Sequence, residues 1–308
     1  MGAPGGAEER WALFRPTRER ALAGAWLAAV WVASMAVDAA RTRPLGHDAH
    51  AYWLATLDPS VYGRLPGEPD AFLYSPPVAQ VLAAITWIPW PLFVAVWTSA
   101  AITAYVWLVR PLRWIWAVPL LALAIEDTTL GNVTWLTALL VVVGMRRSIA
   151  WVPLAFTKVT AGVGLLWYVV RRDWRAVGVA LGTGVAVLVV SFLASPGLWR
   201  AYATFMVGLG GSGVLLRTVA ASALVVFAAR TDRPWLVPVA VVVCAPLALA
   251  YTWAALLAVP RLLRPETLTA LNAPFGGIRV GLRRALDLQP RDQSVGTAMV
   301  SAPSGEAS

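Results

Sequence analysis

The apolar runs of this chain are fenced by arginines, and one pair of fences fixes how the middle must fold. Arg146–Arg147 and Arg171–Arg172 are separated by about two dozen residues that carry no charge except Lys158, the only lysine in the sequence. Backbone groups in lipid must be satisfied internally, so apolar runs of this kind are helices. Two full crossings need about 40 residues, and a single crossing would carry one arginine pair to the wrong side. A re-entrant hairpin of two half-helices, with Lys158 at its tip, meets both constraints. A lone ammonium at the centre of an apolar helix costs about 2.5 to 3.5 kcal/mol, so something must compensate it. The compensation is an anion held at membrane depth, a structural partner such as Glu126 or Asp127, or a shallow position from which the side chain snorkels to water.

Composition sets the frame around that hairpin. With 59% hydrophobic and 13% charged residues and a mean hydropathy of +0.67, the chain is not a soluble domain. Seventeen tryptophans suit a protein with two membrane–water interfaces. The net charge of +9 sits at span ends and forms no stripe, which reads as a positive-inside bias and not as a nucleic-acid surface. The single cysteine, Cys244, excludes an intrachain disulfide and a Cys-based zinc cage.

The sequence predicts an all-α, polytopic transmembrane bundle with about eight spans, the hairpin and an interfacial helix. Residues 1–20 form a cytoplasmic N-terminal segment, and the membrane domain covers 21–264. Ser34-Met35-Ala36 would pass as a signal-peptidase context, but the run from Ala21 is long for a signal peptide and reads as a retained first span, about 21–38. A polar loop follows at 39–75. The run from Pro76 to Val109 is broken by Ile88-Pro89-Trp90-Pro91, giving an interfacial helix at 76–88 and a span at 91–109. Further spans fall at about 114–126, 133–145, 176–194, 214–229, 235–249 and 250–263. Residues 265–308 lose apolar density and read as a disordered cytoplasmic tail. With both termini on the cytoplasmic side of the plasma membrane, this alternation places Arg110, Arg113, Arg146, Arg147, Arg171, Arg172, Arg175, Arg230, Arg233, Arg261 and Arg264 in the cytoplasm. It sends the 39–75 loop, the Glu126–Asn132 turn, Lys158, Ser195–Tyr202 and Pro246–Tyr251 to the outer face.

Chemistry-bearing residues therefore gather on one side. Gly46-His47-Asp48-Ala49-His50-Ala51-Tyr52 follows the first span. Asp48 is either a solvated loop aspartate or a general base for a sugar hydroxyl. His47, Asp48 and His50 form a weak metal-ligand pattern, because adjacent loop ligands rarely converge. Phe72-Leu73-Tyr74-Ser75-Pro76-Pro77 runs an aromatic cluster into a proline-started helix, suited to anchoring at the interface or to ligand contact. Gly131-Asn132 offers close backbone approach and a side-chain amide near Lys158, whose compact charge would suit a lipid phosphate.

Taken in order, the aspartate after the first span, Phe-x-Tyr-x-Pro-Pro at 72–77, the Gly131-Asn132 turn, the lone Lys158 and Arg171-Arg172-Asp173-Trp174-Arg175 resemble the family 87 glycosyltransferases. These are GT-C type membrane enzymes, polyprenyl-phosphate-mannose-dependent and known from actinobacterial envelope assembly. The resemblance spans about residues 20–205. It implies inverting transfer of a sugar, mannose by resemblance alone, from a polyprenyl-phosphate donor to a glycolipid hydroxyl on the outer face. It implies Asp48 as base and Lys158 at the donor phosphate. His47, His50, Tyr52, Tyr74, Asp127, Gly131, Asn132 and Tyr251 complete the candidate substrate-binding set. No cofactor is required, although a divalent ion is compatible with the chemistry. The chain departs from the family pattern in three places. Cys244-Ala245-Pro246 and Tyr251 stand where a Pro-x-x-Trp-x-His segment is expected, Gly210–Gly213 replaces an Asn-Gln-Ser motif, and late spans are missing. A lipid-linked-sugar flippase or permease, or a degenerate paralogue that binds polyprenyl lipid, are the alternative readings.

Overall fold

A computed structural model describes residues 18–208, 213–245 and 250–273. Among these the regular structure is all helical, without strands, and residues 54–75 are mostly irregular apart from the short 3-10 turn Pro59–Tyr62. The first helices in order are α1 (Arg18–Thr42), α2 (His47–Trp53), α3 (Pro76–Ala83), α4 (Trp90–Val109), α5 (Trp114–Ala122), α6 (Ile125–Leu130) and α7 (Thr134–Gly144). Then come α8 (Trp151–Thr157), α9 (Leu166–Val170), α10 (Trp174–Ala194), α11 (Pro196–Gly208), α12 (Val214–Arg230), α13 (Leu236–Val243), α14 (Val259–Leu262) and α15 (Pro265–Asn272).

Three of them, α1, α4 and α10, are long and apolar enough to cross a membrane by themselves. Their limits follow from local chemistry. α1 carries Glu19 in its first turn and Arg41 in its last, each charge opposing the helix dipole. α4 starts on Trp90-Pro91, where proline forfeits no helical hydrogen bond, and stops before Pro111. Asp173 caps α10, its carboxylate accepting from the Ala176 N–H at 3.1 Å. The other apolar stretches are broken into shorter helices. Pro119 lies inside one of them, α5, without ending it. The result is an all-α membrane bundle.

The hairpin is present. Lys158 adopts an extended conformation between α8 and the 3-10 turn Val159–Leu165, and α9 returns the chain so that the Tyr168 hydroxyl donates to the Gly144 carbonyl beside Arg146. What lets two half-helices lie so close is Trp151. Its indole is fully buried and donates to the Gly144 carbonyl at 2.9 Å. A Cβ on Gly144 would come within 2.8 Å of that ring, and one on Gly164 closer still. Tyr105, Leu108, Leu154, Val225 and Leu257 complete the same core.

Some boundaries differ from expectation. The interfacial helix ends at Ala83 and the chain passes through turns before Pro89. Pro196–Gly208, in a stretch assigned to no span, is a helix that packs Tyr202 and Phe205 against Tyr62. The chain remains helical through Pro265–Asn272. The segments 1–17, 209–212, 246–249 and 274–308 lie outside the described residues, and with them most of the Gly210–Gly213 motif, Pro246 and the expected tail.

Candidate active site

Two glycines in left-handed backbone bring the first loop against the α6–α7 turn. Gly46 (φ 75°) precedes α2, and its N–H donates to the Thr129 carbonyl at 2.8 Å. Gly131 (φ 71°) ends α6, and a Cβ there would come within 2.6 Å of Ala49 Cβ. The Trp97 indole donates to the Gly131 carbonyl at 2.8 Å, which fixes the turn from a third side. With those backbones in contact, Asp48 on α2 faces Asn132.

A directional chain of hydrogen bonds follows. Lys158 Nζ donates to Thr134 Oγ1 at 3.3 Å, the Thr134 hydroxyl donates to Asn132 Oδ1 at 3.0 Å, and Asn132 Nδ2 donates to Asp48 Oδ2 at 2.7 Å. Asn132 and Thr134 are buried, and Lys158 is partly buried. The ammonium and the carboxylate therefore lie at one end of the bundle, joined through two neutral side chains. Among the described residues no carboxylate lies within 4.0 Å of Lys158. Asp127 acts on its charge from inside the protein, as Asp48 does from the cavity side. Asp127 is fully buried, its Oδ2 accepting from the Tyr105 hydroxyl at 2.6 Å, and it lies beside Thr134.

Above Asn132 opens a cavity of about 180 Å³ bounded by Arg43, His47, Asp48, Tyr52, Tyr74 and Tyr251, among others. Tyr52 and Tyr74, whose hydroxyls are 2.8 Å apart, also line a second, apolar groove of about 460 Å³ with Val133, Leu136, Phe156 and Thr157. The tyrosine pair thus forms a shared wall between a polar and an apolar space. The Ser75 hydroxyl donates to the Phe156 carbonyl at 2.6 Å, which ties the Tyr-Ser-Pro-Pro segment to the hairpin just before Lys158.

Of the residues selected from sequence, His47, Asp48, Tyr52, Tyr74, Asn132 and Tyr251 border the polar cavity, and Lys158 and Gly131 support it. Asp127 and His50 do not border it. His50 turns to Asp70, at 2.6 Å, with its ring between Trp53 and Trp90. His47, Asp48 and His50 therefore do not converge on a metal, and among the described residues no group of three His, Cys, Asp or Glu side chains could hold one. Sequence reasoning passed over Thr134 and Arg43. Thr134 gave no signal as an isolated threonine, but Arg41 and Arg43 sat at the end of the first span where a topology signal would not place arginines.

Asp70 holds this loop. Burial pushes its carboxyl up, but hydrogen bonds from His50 and from Arg64, 2.9 Å away, outweigh that and hold it below the usual carboxylate range.

A family model described as glycosyltransferase family 87 matches residues 72–278. The chain belongs to glycosyltransferase family 87. The matched stretch starts later and runs further than the resemblance drawn from motifs. It contains Tyr74, Gly131, Asn132, Lys158 and Tyr251 but begins after Asp48, so the placement of Asp48 rests on geometry. No curated protein and no solved structure matches. Membership and the apolar helices together make the protein a membrane glycosyltransferase.

Proposed function

We propose that this family 87 protein moves a sugar, mannose in the first instance, from a polyprenyl-phosphate donor to a glycolipid hydroxyl at the outer face of the plasma membrane, with both termini in the cytoplasm. The observation that carries the reading is the hydrogen-bonded line from Lys158 through Thr134 and Asn132 to Asp48, set where a polar cavity adjoins an apolar groove. The donor's isoprenoid chain suits the groove, and the sugar and acceptor hydroxyl suit the cavity.

In this mechanism Asn132 occupies Asp48 Oδ2 and leaves the other oxygen to accept the hydroxyl proton. The acceptor oxygen attacks the anomeric carbon, the bond from that carbon to the phosphate oxygen breaks with inversion, and polyprenyl phosphate departs. Lys158 stabilises charge that grows on the leaving phosphate, an effect realised in the transition state. The reaction needs no metal, because cationic side chains can meet a monophosphate leaving group. Asp48→Asn tests this directly. In membranes supplied with polyprenyl-phosphate-mannose the variant is expected to keep its fold and lose transfer by roughly a hundredfold or more, within the range for a general base. Near-normal transfer by that variant would remove Asp48 from the mechanism.

A further inference from the structure

At the opposite end of the bundle from Asp48, several helix ends meet around a second charged cavity, of about 420 Å³, bordered by Arg146, Arg171, Arg261, Asp232, Trp167 and Leu262 among others. Its electrostatics are unbalanced. Asp232, held by left-handed backbone (φ 52°) just past α12, pairs with Arg171 at 2.7 Å and with Arg264 at 3.1 Å. Among the described residues, Arg146 and Arg261 have no carboxylate within 4.0 Å.

Arg261 is fixed in place for a backbone reason. Pro111 has no N–H to give the Trp107 carbonyl four residues before it, so the last turn of α4 leaves that oxygen free. Arg261 Nε donates to it at 3.0 Å, and the guanidinium lies 4.0 Å over the Trp107 ring. Arg171 likewise lies 5.1 Å from the Trp167 ring centre. These guanidiniums are thus pre-positioned around the cavity, not trailing freely in solvent. Arg261 also feels the charges of Arg110 and Arg146, a local positive excess that helix C-termini alone do not require.

We infer that this cavity binds the phosphate headgroup of an anionic phospholipid. Guanidiniums match phosphate oxygens with paired donors, and the Trp167 and Leu262 walls would meet the glycerol and first methylenes, which a free inorganic ion lacks. Basic pockets between membrane helices take such headgroups. The inference does not depend on the sugar-transfer proposal.

The test is native mass spectrometry of the purified full-length protein titrated with phosphatidylglycerol or phosphatidylcholine. Phosphatidylglycerol is expected to bind at least fivefold tighter. Arg146→Gln, an exposed position, is expected to weaken it about fivefold, the effect of one arginine at a membrane surface. Arg147→Gln and Arg172→Gln remove the same charge beside the cavity but from side chains that do not border it, and are expected to change binding less than twofold. Arg261→Gln, with melting followed in parallel because it also removes the bonds to the Trp107 carbonyl, provides a second lining variant. Equal losses in the lining and control variants would reduce the effect to general membrane electrostatics and overturn the site. Equal binding of phosphatidylcholine, or full displacement of phosphatidylglycerol by millimolar inorganic phosphate, would overturn the lipid assignment.

Discussion

Replacing Thr134 by valine removes one oxygen from a fully buried position and leaves the shape nearly unchanged. That oxygen accepts from Lys158 Nζ at 3.3 Å and carries the hydrogen given to Asn132 at 3.0 Å. A hydrogen bond to a charged group is worth about 1.5 to 3 kcal/mol. If Lys158 acts on the leaving phosphate, loss of its anchor subtracts that much from transition-state stabilisation, or roughly ten- to a hundredfold in kcat. KM for the donor should move far less, because the interaction is made mainly in the transition state. Thr134→Ser keeps the hydroxyl and should recover most of the rate. The assay is transfer of labelled sugar from polyprenyl-phosphate-mannose in reconstituted vesicles, with kcat and KM measured for each variant and melting followed in parallel. A valine variant with wild-type kcat would refute the relay. So would a serine variant as slow as valine at equal stability, since packing and not hydrogen bonding would then explain the loss.

Gly131→Ala should lower the melting temperature and uncouple Asp48 from Asn132, since left-handed backbone costs a non-glycine residue about 1–2 kcal/mol and the new Cβ would meet Ala49 at 2.6 Å; scanning calorimetry in detergent checks it. Asp70, held below the usual carboxylate range by His50 and Arg64, contributes stability that is present above the unfolded carboxyl value of about 3.9 and is lost as pH falls through the lower folded value. Asp70→Asn should therefore melt lower at neutral pH but lose less on acidification, read from melting temperatures across an acid series. Tyr74→Phe removes one hydroxyl of the pair that separates cavity from groove and should raise donor KM more than it lowers kcat, in the same vesicle assay.

The helical bundle was legible because its signal is long-range and repetitive. Apolar runs closed by arginines, and too few residues between Arg146–Arg147 and Arg171–Arg172, leave little freedom in lipid. The break at Lys158 followed from that counting alone. Pro196–Gly208 was not legible. Its Ser-Pro-Gly start gives no helical signal, and the helix takes its place by packing Tyr202 and Phe205 on Tyr62 and by the Trp199 indole donating to Ser191. At the site, Asp48 and Lys158 stood out by type and setting, but the contact between them did not. It runs through Asn132 and Thr134, two common polar residues whose meaning depends on the backbone approach at Gly46 and Gly131. The direction of His50 was hidden for the same reason. Position beside Asp48 on a short helix says nothing about direction, and the ring turns to Asp70 and two tryptophans.

The separation of Asp48 from Lys158 bears on how a transferase of this kind could work. A direct ion pair would satisfy the ammonium, weaken its pull on a phosphate and occupy the carboxylate meant for a hydroxyl proton. Two neutral side chains instead pass hydrogen-bond polarity from one charge to the other, so each is oriented and neither is consumed. The desolvation cost of the ammonium still has to be met, and in this reading part of it falls to Asp127, buried in the core and hydrogen-bonded by Tyr105. Under the proposed mechanism, such an arrangement would give Lys158 a weak internal partner and leave its stronger interaction for the donor phosphate. On that logic Asp127→Asn should leave Lys158 more dependent on bound donor for its order. The protein's melting temperature should then rise more on adding polyprenyl phosphate in the variant than in the parent, and an equal or smaller rise would count against the compensating role of Asp127.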